Sequence, residues 1–206
     1  MPNSPQISLL KYIHSHHFIH HDIKLQNMLM SIEGSKDTIY LINFGIAKHY
    51  RHPSSCVHIP VSQRFQDGIL TGTPAFTSVN SHLRFELSWR DDLESLVYTL
   101  LFLYTRSLPW LTPQGNQTRL STSTICQAKE TIIAEDSPGI PTELLALLSY
   151  SHHLSFMQKP NYDHLQSFLL PVATLLTFLT DETKIISGSL GALVQPIHTH
   201  DNNHKM

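Results

Sequence analysis

The stretch His20-His21-Asp22-Ile23-Lys24-Leu25-Gln26-Asn27 gathers a carboxylate, an ammonium group and a carboxamide into one short segment. Transfer of a phosphoryl group to a hydroxyl asks for three things. A carboxylate must accept or orient the hydroxyl proton, a cation must lie near the moving phosphate, and oxygen ligands must hold magnesium. Asp22 suits the first role, Lys24 the second, and the side-chain oxygen of Asn27 part of the third. The spacing D-x-K-x-x-N also arises by chance. On the octet alone, a polar surface loop and a catalytic loop are equally good readings.

The octet has company. Asn43-Phe44-Gly45 follows, and then Thr71-Gly72-Thr73. Farther on come Trp89-Arg90-Asp91-Asp92-Leu93-Glu94-Ser95-Leu96, Ser107-Leu108-Pro109-Trp110 and Lys159-Pro160-Asn161-Tyr162. Their order and spacing from Asp22 to Tyr162 set chance aside.

Elements must hold these residues. Ser4-Pro5 can cap and start a helix, because proline at the first helical position loses no hydrogen bond. Ile7, Leu9, Leu10 and Ile13 carry the helical spacing to about Ser15. Residues 16–26 lack a period and read as a loop. Residues 27–30 and 38–42 are strand-like runs flanking Glu33-Gly34-Ser35-Lys36-Asp37, which predicts a hairpin. From Gly45 to about Glu86 there is no period, and long structured loops are usually functional.

Asp91 to Thr105 is apolar on every side and predicts a buried central helix. Residues 111–124 read as loop, Pro141 to Ser151 as a helix, and Tyr162 to about Leu179 as another helix kinked near Pro171. The expected fold is mainly α with one small β-hairpin.

Bulk properties bound the function. The chain has 206 residues, 41% of them hydrophobic, enough for one domain with a real core. A formal net charge of -2 offers no strong field to recruit nucleic acid or a membrane surface, so neither is expected as a partner. The two cysteines, Cys56 and Cys126, cannot make a disulfide framework, which points to a reducing intracellular compartment, cytoplasm or nucleus. The N-terminus lacks signal-peptide character, and the apolar runs 93–104 and 168–180 are too short to span a bilayer.

Fifteen histidines, with a cluster at 14, 16, 17, 20 and 21, raise the question of metal binding. Their spacing lacks a clean pair with a distant third ligand. They are expected to be surface and loop residues that charge as pH falls through about 6.5.

The motifs resemble one family in particular, the casein kinase 1 group of serine/threonine protein kinases. Tyr12-Ile13-His14-Ser15, Phe18-Ile19-His20, Ile42-Asn43-Phe44-Gly45-Ile46-Ala47-Lys48-His49-Tyr50-Arg51 and His58-Ile59-Pro60 match its pattern. So do Leu70-Thr71-Gly72-Thr73, Asn80-Ser81-His82-Leu83, Arg90 to Leu96, Ser107 to Trp110 and Lys159 to Tyr162.

The resemblance implies a protein-kinase-like C-terminal lobe over residues 1–180, a loose tail over 181–206, ATP and Mg2+ as cofactors, and a protein substrate or partner. It also implies Asp22 as catalytic base, Lys24 as the phosphate-contacting lysine and Asn27 as a magnesium ligand. Leu29 and Ile42 would line the adenine site, and Asp92 would brace the catalytic loop.

The departures have consequences. Asn43 stands where the family has the aspartate of D-F-G, so the second metal ligand is an amide. His21 replaces the catalytic-loop arginine, and Pro74 follows Gly72-Thr73 where an arginine is expected. The sequence contains no glycine-rich nucleotide loop. The expectation is an impaired or inactive kinase-like protein acting as a binding module. Residual kinase activity and a truncated copy without function are the alternatives.

Overall fold

The computed structural model describes residues 4–30, 39–52, 54–55, 57–59, 70–111, 120–132 and 139–169. Helix α1 spans Pro5–Ser15 and buries Ile7, Leu10, Ile13 and His14. It begins where the sequence places it, but without the expected cap. The Ser4 hydroxyl donates to Gln6 Oε1 at 2.8 Å rather than accepting a backbone N–H.

The segment that reads as a featureless loop is more ordered than its composition suggests. Strand β1, Phe18–Ile19, pairs antiparallel with β4, Lys48–His49, with Phe18 opposite His49. The expected hairpin forms from β2, Met28–Met30, and β3, Ile39–Leu41, with Leu29 opposite Tyr40. Its turn over 33–37 lies outside the described residues. The long aperiodic stretch contains β4, a bridge between Arg51 and His58, and the short helix α2, Val79–His82.

Helix α3, Trp89–Thr105, is the centre of the molecule. Leu93, Leu96, Val97, Leu100 and Leu101 are all at most 1% exposed, and even Asp91, Asp92 and Glu94 are buried. Each such aliphatic side chain contributes about 1.5–3 kcal/mol through burial. The helix starts two residues before the expected Asp91, because the Asp91 carboxylate accepts the Ser88 N–H at 2.7 Å and so serves the first turn. Arg106 ends it in the left-handed conformation, φ 59°.

Helix α5, Thr142–His153, packs against α3 through Leu144, Leu147 and Leu148, close to the expected bounds. Residues 162–169 are helical, while the expected kink at Pro171 and the 181–206 tail lie outside the described residues. Helix α4, Thr122–Thr131, escaped the sequence reading. Its first turn is polar, and its start is fixed by Ser121, whose side chain accepts the Thr124 N–H at 3.1 Å. None of the described helices is long and apolar enough to cross a membrane.

Candidate active site

The loop between β1 and β2 is shaped by one buried carboxylate. Asp92, 1% exposed in the first turn of α3, accepts the backbone N–H groups of His20 (2.8 Å) and His21 (2.9 Å). Its third donor is His14 Nε2–H at 3.0 Å, and the other nitrogen of that ring accepts the Tyr162 hydroxyl at 2.6 Å. Burial works to raise the Asp92 carboxyl, but the bond from His14 and the backbone donors outweigh it, so the group stays below the usual carboxylate range.

The expectation of surface histidines is overturned here. His14, His20 and His21 are 2%, 0% and 7% exposed and carry hydrogen bonds of the loop. His20 accepts the Asp22 N–H on Nδ1 (3.2 Å) and donates through Nε2 to the Ile42 carbonyl (3.0 Å). His21 donates through Nδ1 to the Ile46 carbonyl at 3.1 Å, and burial lowers its pKa, so it is a neutral stand-in for a cation.

Asp22 sits at the centre of a closed set of bonds. Its carboxylate pairs with Lys24 Nζ at 2.8 Å and accepts the Thr73 N–H (3.1 Å) and hydroxyl (2.6 Å). Lys24 also donates to Thr73 Oγ1 at 2.7 Å. Burial pulls the carboxyl upward, yet the Lys24 ammonium and the Thr73 hydroxyl together hold it below its ordinary value. It is therefore ionised at neutral pH.

Thr73 reaches Asp22 because of Gly72, whose φ of +84° suits glycine. A Cβ at Gly72 would stand 2.3 Å from the His21 carbonyl oxygen. Thr73 itself was not singled out from sequence, although the Thr71-Gly72-Thr73 motif was its signal.

The segment after Thr73 is anchored from below by Lys129 of α4, 0% exposed. Its Nζ donates to the Pro74 carbonyl at 2.9 Å and to the Thr77 carbonyl at 2.5 Å, and contacts His82 Nε2 at 3.2 Å. It also lies over the rings of Tyr98 and Trp110. Burial lowers the Lys129 pKa to about 7, and burial together with Lys129 lowers that of His82 to about 4.

The last member of the site is Asn43. Asn27 donates both to the Asp22 carbonyl (2.7 Å) and to Asp22 Oδ2 (3.0 Å), which fixes the orientation of its amide. The Asn27 oxygen therefore faces away from Asp22 and accepts Asn43 Nδ2–H at 2.7 Å. Backbone bonds hold the pair in place, since the Ile42 N–H donates to the Asn27 carbonyl at 2.9 Å. Asn43 adopts φ 66°, ψ 58°, a left-handed conformation that asparagine tolerates. Asp22, Lys24, Asn27 and Asn43 thus meet in space as the sequence leads one to expect.

These donors do not fit magnesium. That ion takes carboxylate and phosphate oxygens in near-octahedral geometry. A cation between Asn27 and Asn43 would meet an N–H where an anionic oxygen is needed. Among the described residues, no group of three or more His, Cys, Asp or Glu side chains is arranged to hold a metal ion.

The two residues expected to line an adenine site behave differently from each other. Leu29 is 50% exposed beside Tyr40 at 55%, whereas Ile42 is half-buried. Phe44 and Ile46 are also exposed, each at 46%. A family model described as the protein kinase domain matches residues 6–167.

Proposed function

The chain belongs to the protein kinase family, and on that footing we propose that it is a casein-kinase-1-type pseudokinase lobe that binds protein rather than transferring phosphate. The family uses ATP and Mg2+ to phosphorylate proteins. In this chain Asp22 would be the base, Lys24 the phosphate contact and Asn27 the remaining metal-side ligand. Leu29, Ile42 and Asn43 would border the nucleotide.

The observation that carries the reading is the bond from Asn43 Nδ2 to Asn27 Oδ1. It puts a neutral donor where the developing phosphate charge needs a metal held by a carboxylate. Removing one preorganised charge-stabilising group costs about 3 kcal/mol, or roughly 10²–10³ in rate. Kinases that turn over at about 1–100 s⁻¹ would fall to near one event per second or far below. The exposed cross-strand pair of Leu29 and Tyr40, with Phe44 and Ile46 also exposed, supports the binding half of the proposal, because exposed apolar surface tends to be covered by a partner.

Residual kinase activity has one observation in its favour, the intact grouping of Asp22, Lys24 and Thr73. A phosphotransfer assay separates the two readings. Labelled ATP, Mg2+ and an acidic protein substrate are given to the wild-type chain and to Asn43→Asp. Wild-type transfer is expected to be at least about 10²-fold below an ordinary kinase rate, with a gain in the variant. Wild-type transfer at an ordinary kinase rate would overturn the proposal.

A further inference from the structure

Beside His14, a cavity of about 460 Å3 opens between α1, the Tyr50-Arg51 segment that follows β4, Trp89 of α3 and the segment entering helix 162–169. A volume in this range is that of a small-molecule site. Three cations line it, Lys11, Arg51 and Lys159, against one carboxylate, Asp163. Lys11 and Asp163 pair at 2.8 Å and cancel. Arg51 and Lys159 have no ion-pair partner among the described residues. Three cations less one carboxylate leave a local surplus of two positive charges, on a chain whose formal net charge is -2.

Arg51 is also pre-arranged. Its guanidinium carbon lies 5.4 Å from the ring centre of Tyr50 and 5.1 Å from that of Trp89. Stacking of this kind fixes the plane of the donor fork, so less freedom is lost when an oxyanion is gripped.

The second observation is a pair of buried donors on two lining residues, Arg51 Nε and Trp89 Nε1, neither of which has an acceptor among the described residues. Trp89 is 1% exposed. The other tryptophan, Trp110, shows the ordinary arrangement and donates to the Ala75 carbonyl at 2.8 Å. A buried donor without an acceptor is destabilising, and an incoming oxygen that reaches the group relieves that cost.

We propose that this cavity recognises a phosphate monoester group, with Arg51 and Lys159 as its principal contacts. A dianion matches the surplus of two charges, whereas a single carboxylate would leave one cation unneutralised. A guanidinium fork suits the paired oxygens of a phosphate. The site is separate from the Asp22 cluster and does not depend on whether that cluster transfers phosphate.

The test is a titration of the full 15N-labelled chain with O-phosphoserine, inorganic phosphate and plain serine, read by NMR. The Trp89 indole signal is expected to move and saturate with the two phosphate compounds, while the Trp110 indole signal stays in place. Lys159 is exposed, so Lys159→Ala leaves the fold alone. It is expected to weaken phosphoserine binding tenfold or more, since a hydrogen bond to a charged group contributes about 1.5–3 kcal/mol. Tighter binding of phosphoserine than of inorganic phosphate assigns the site to an ester, and equal binding assigns it to the bare phosphate group. The proposal is overturned if the Trp89 signal does not respond, if serine moves it equally, or if Lys159→Ala binds as tightly as wild type.

Discussion

Asp92 and Asn43 lie at opposite ends of one hydrogen-bonded loop and have opposite characters. Asp92 is buried and ionised, and three donors surround it. Asn43 is exposed and neutral, and gives its N–H to Asn27. The first arranges the backbone of the loop. The second occupies the edge at which a metal and a phosphate would arrive. The carboxylate that shapes the loop as its scaffold is thus distinct from the side chains at its metal-facing edge, and the proposal of impaired transfer rests on that edge alone.

The largest effect should come from the scaffold end. Asp92→Ala removes the shared acceptor of two backbone N–H groups and His14, and breaking such a buried set typically costs about 3–5 kcal/mol. Denaturant unfolding should show that loss, with Tm lower by roughly 10 °C. A loss under about 1 kcal/mol would mean that the loop holds its shape without the carboxylate, and the contrast between the two ends would fail.

Next in size is Lys129→Met, which strands the Pro74 and Thr77 carbonyls beneath the Thr73 segment. A cost of about 2 kcal/mol is expected in the same unfolding measurement. Unchanged stability would show that the scaffold does not extend to α4.

At the metal edge the effects are smaller and conditional. Asn43→Asp replaces the donor to Asn27 with an acceptor, so stability should fall by about 1 kcal/mol without divalent cation. Thermal melts with added Mg2+ should recover that loss in the variant and leave wild type unchanged.

The last expected effect, absent at neutral pH, is a pH dependence. His82, lowered to about 4, refuses a proton that the unfolded chain accepts near 6.5. The unfolded state therefore binds more protons between those values, and stability falls as pH drops through that window. His82→Asn should flatten this slope in melts taken from pH 6.5 to 4. An identical slope would remove His82 from the account.

Much of this arrangement was legible in the sequence, and the reasons differ by element. Helix α3 announced itself because it is apolar on every side, and the β2–β3 hairpin because strand-like runs flank a turn-rich segment. The meeting of Asp22, Lys24, Asn27 and Asn43 followed from motif spacing, as the hairpin returns the chain to the loop. Helix α4 stayed hidden because its first turn, Thr122-Ser123-Thr124, is polar and its start depends on the Ser121 cap. The burial of His14, His20 and His21 was also missed. Composition suggests a solvated cluster, and only the distant Asp92, reached through the fold, makes burial affordable. Lys129 was invisible for a similar reason, since its partners at 74, 77 and 82 are long-range backbone and ring atoms.

The central claim is that the Asn43 amide, not a metal-ready oxygen, faces Asn27. Paramagnetic broadening by Mn2+, a stand-in for Mg2+, tests it on the side-chain amide NMR signals of these two residues. Wild type should keep the Asn27 and Asn43 signals sharp at Mn2+ concentrations that broaden the Asn27 signal of Asn43→Asp. Selective broadening of both signals in wild type would contradict the account.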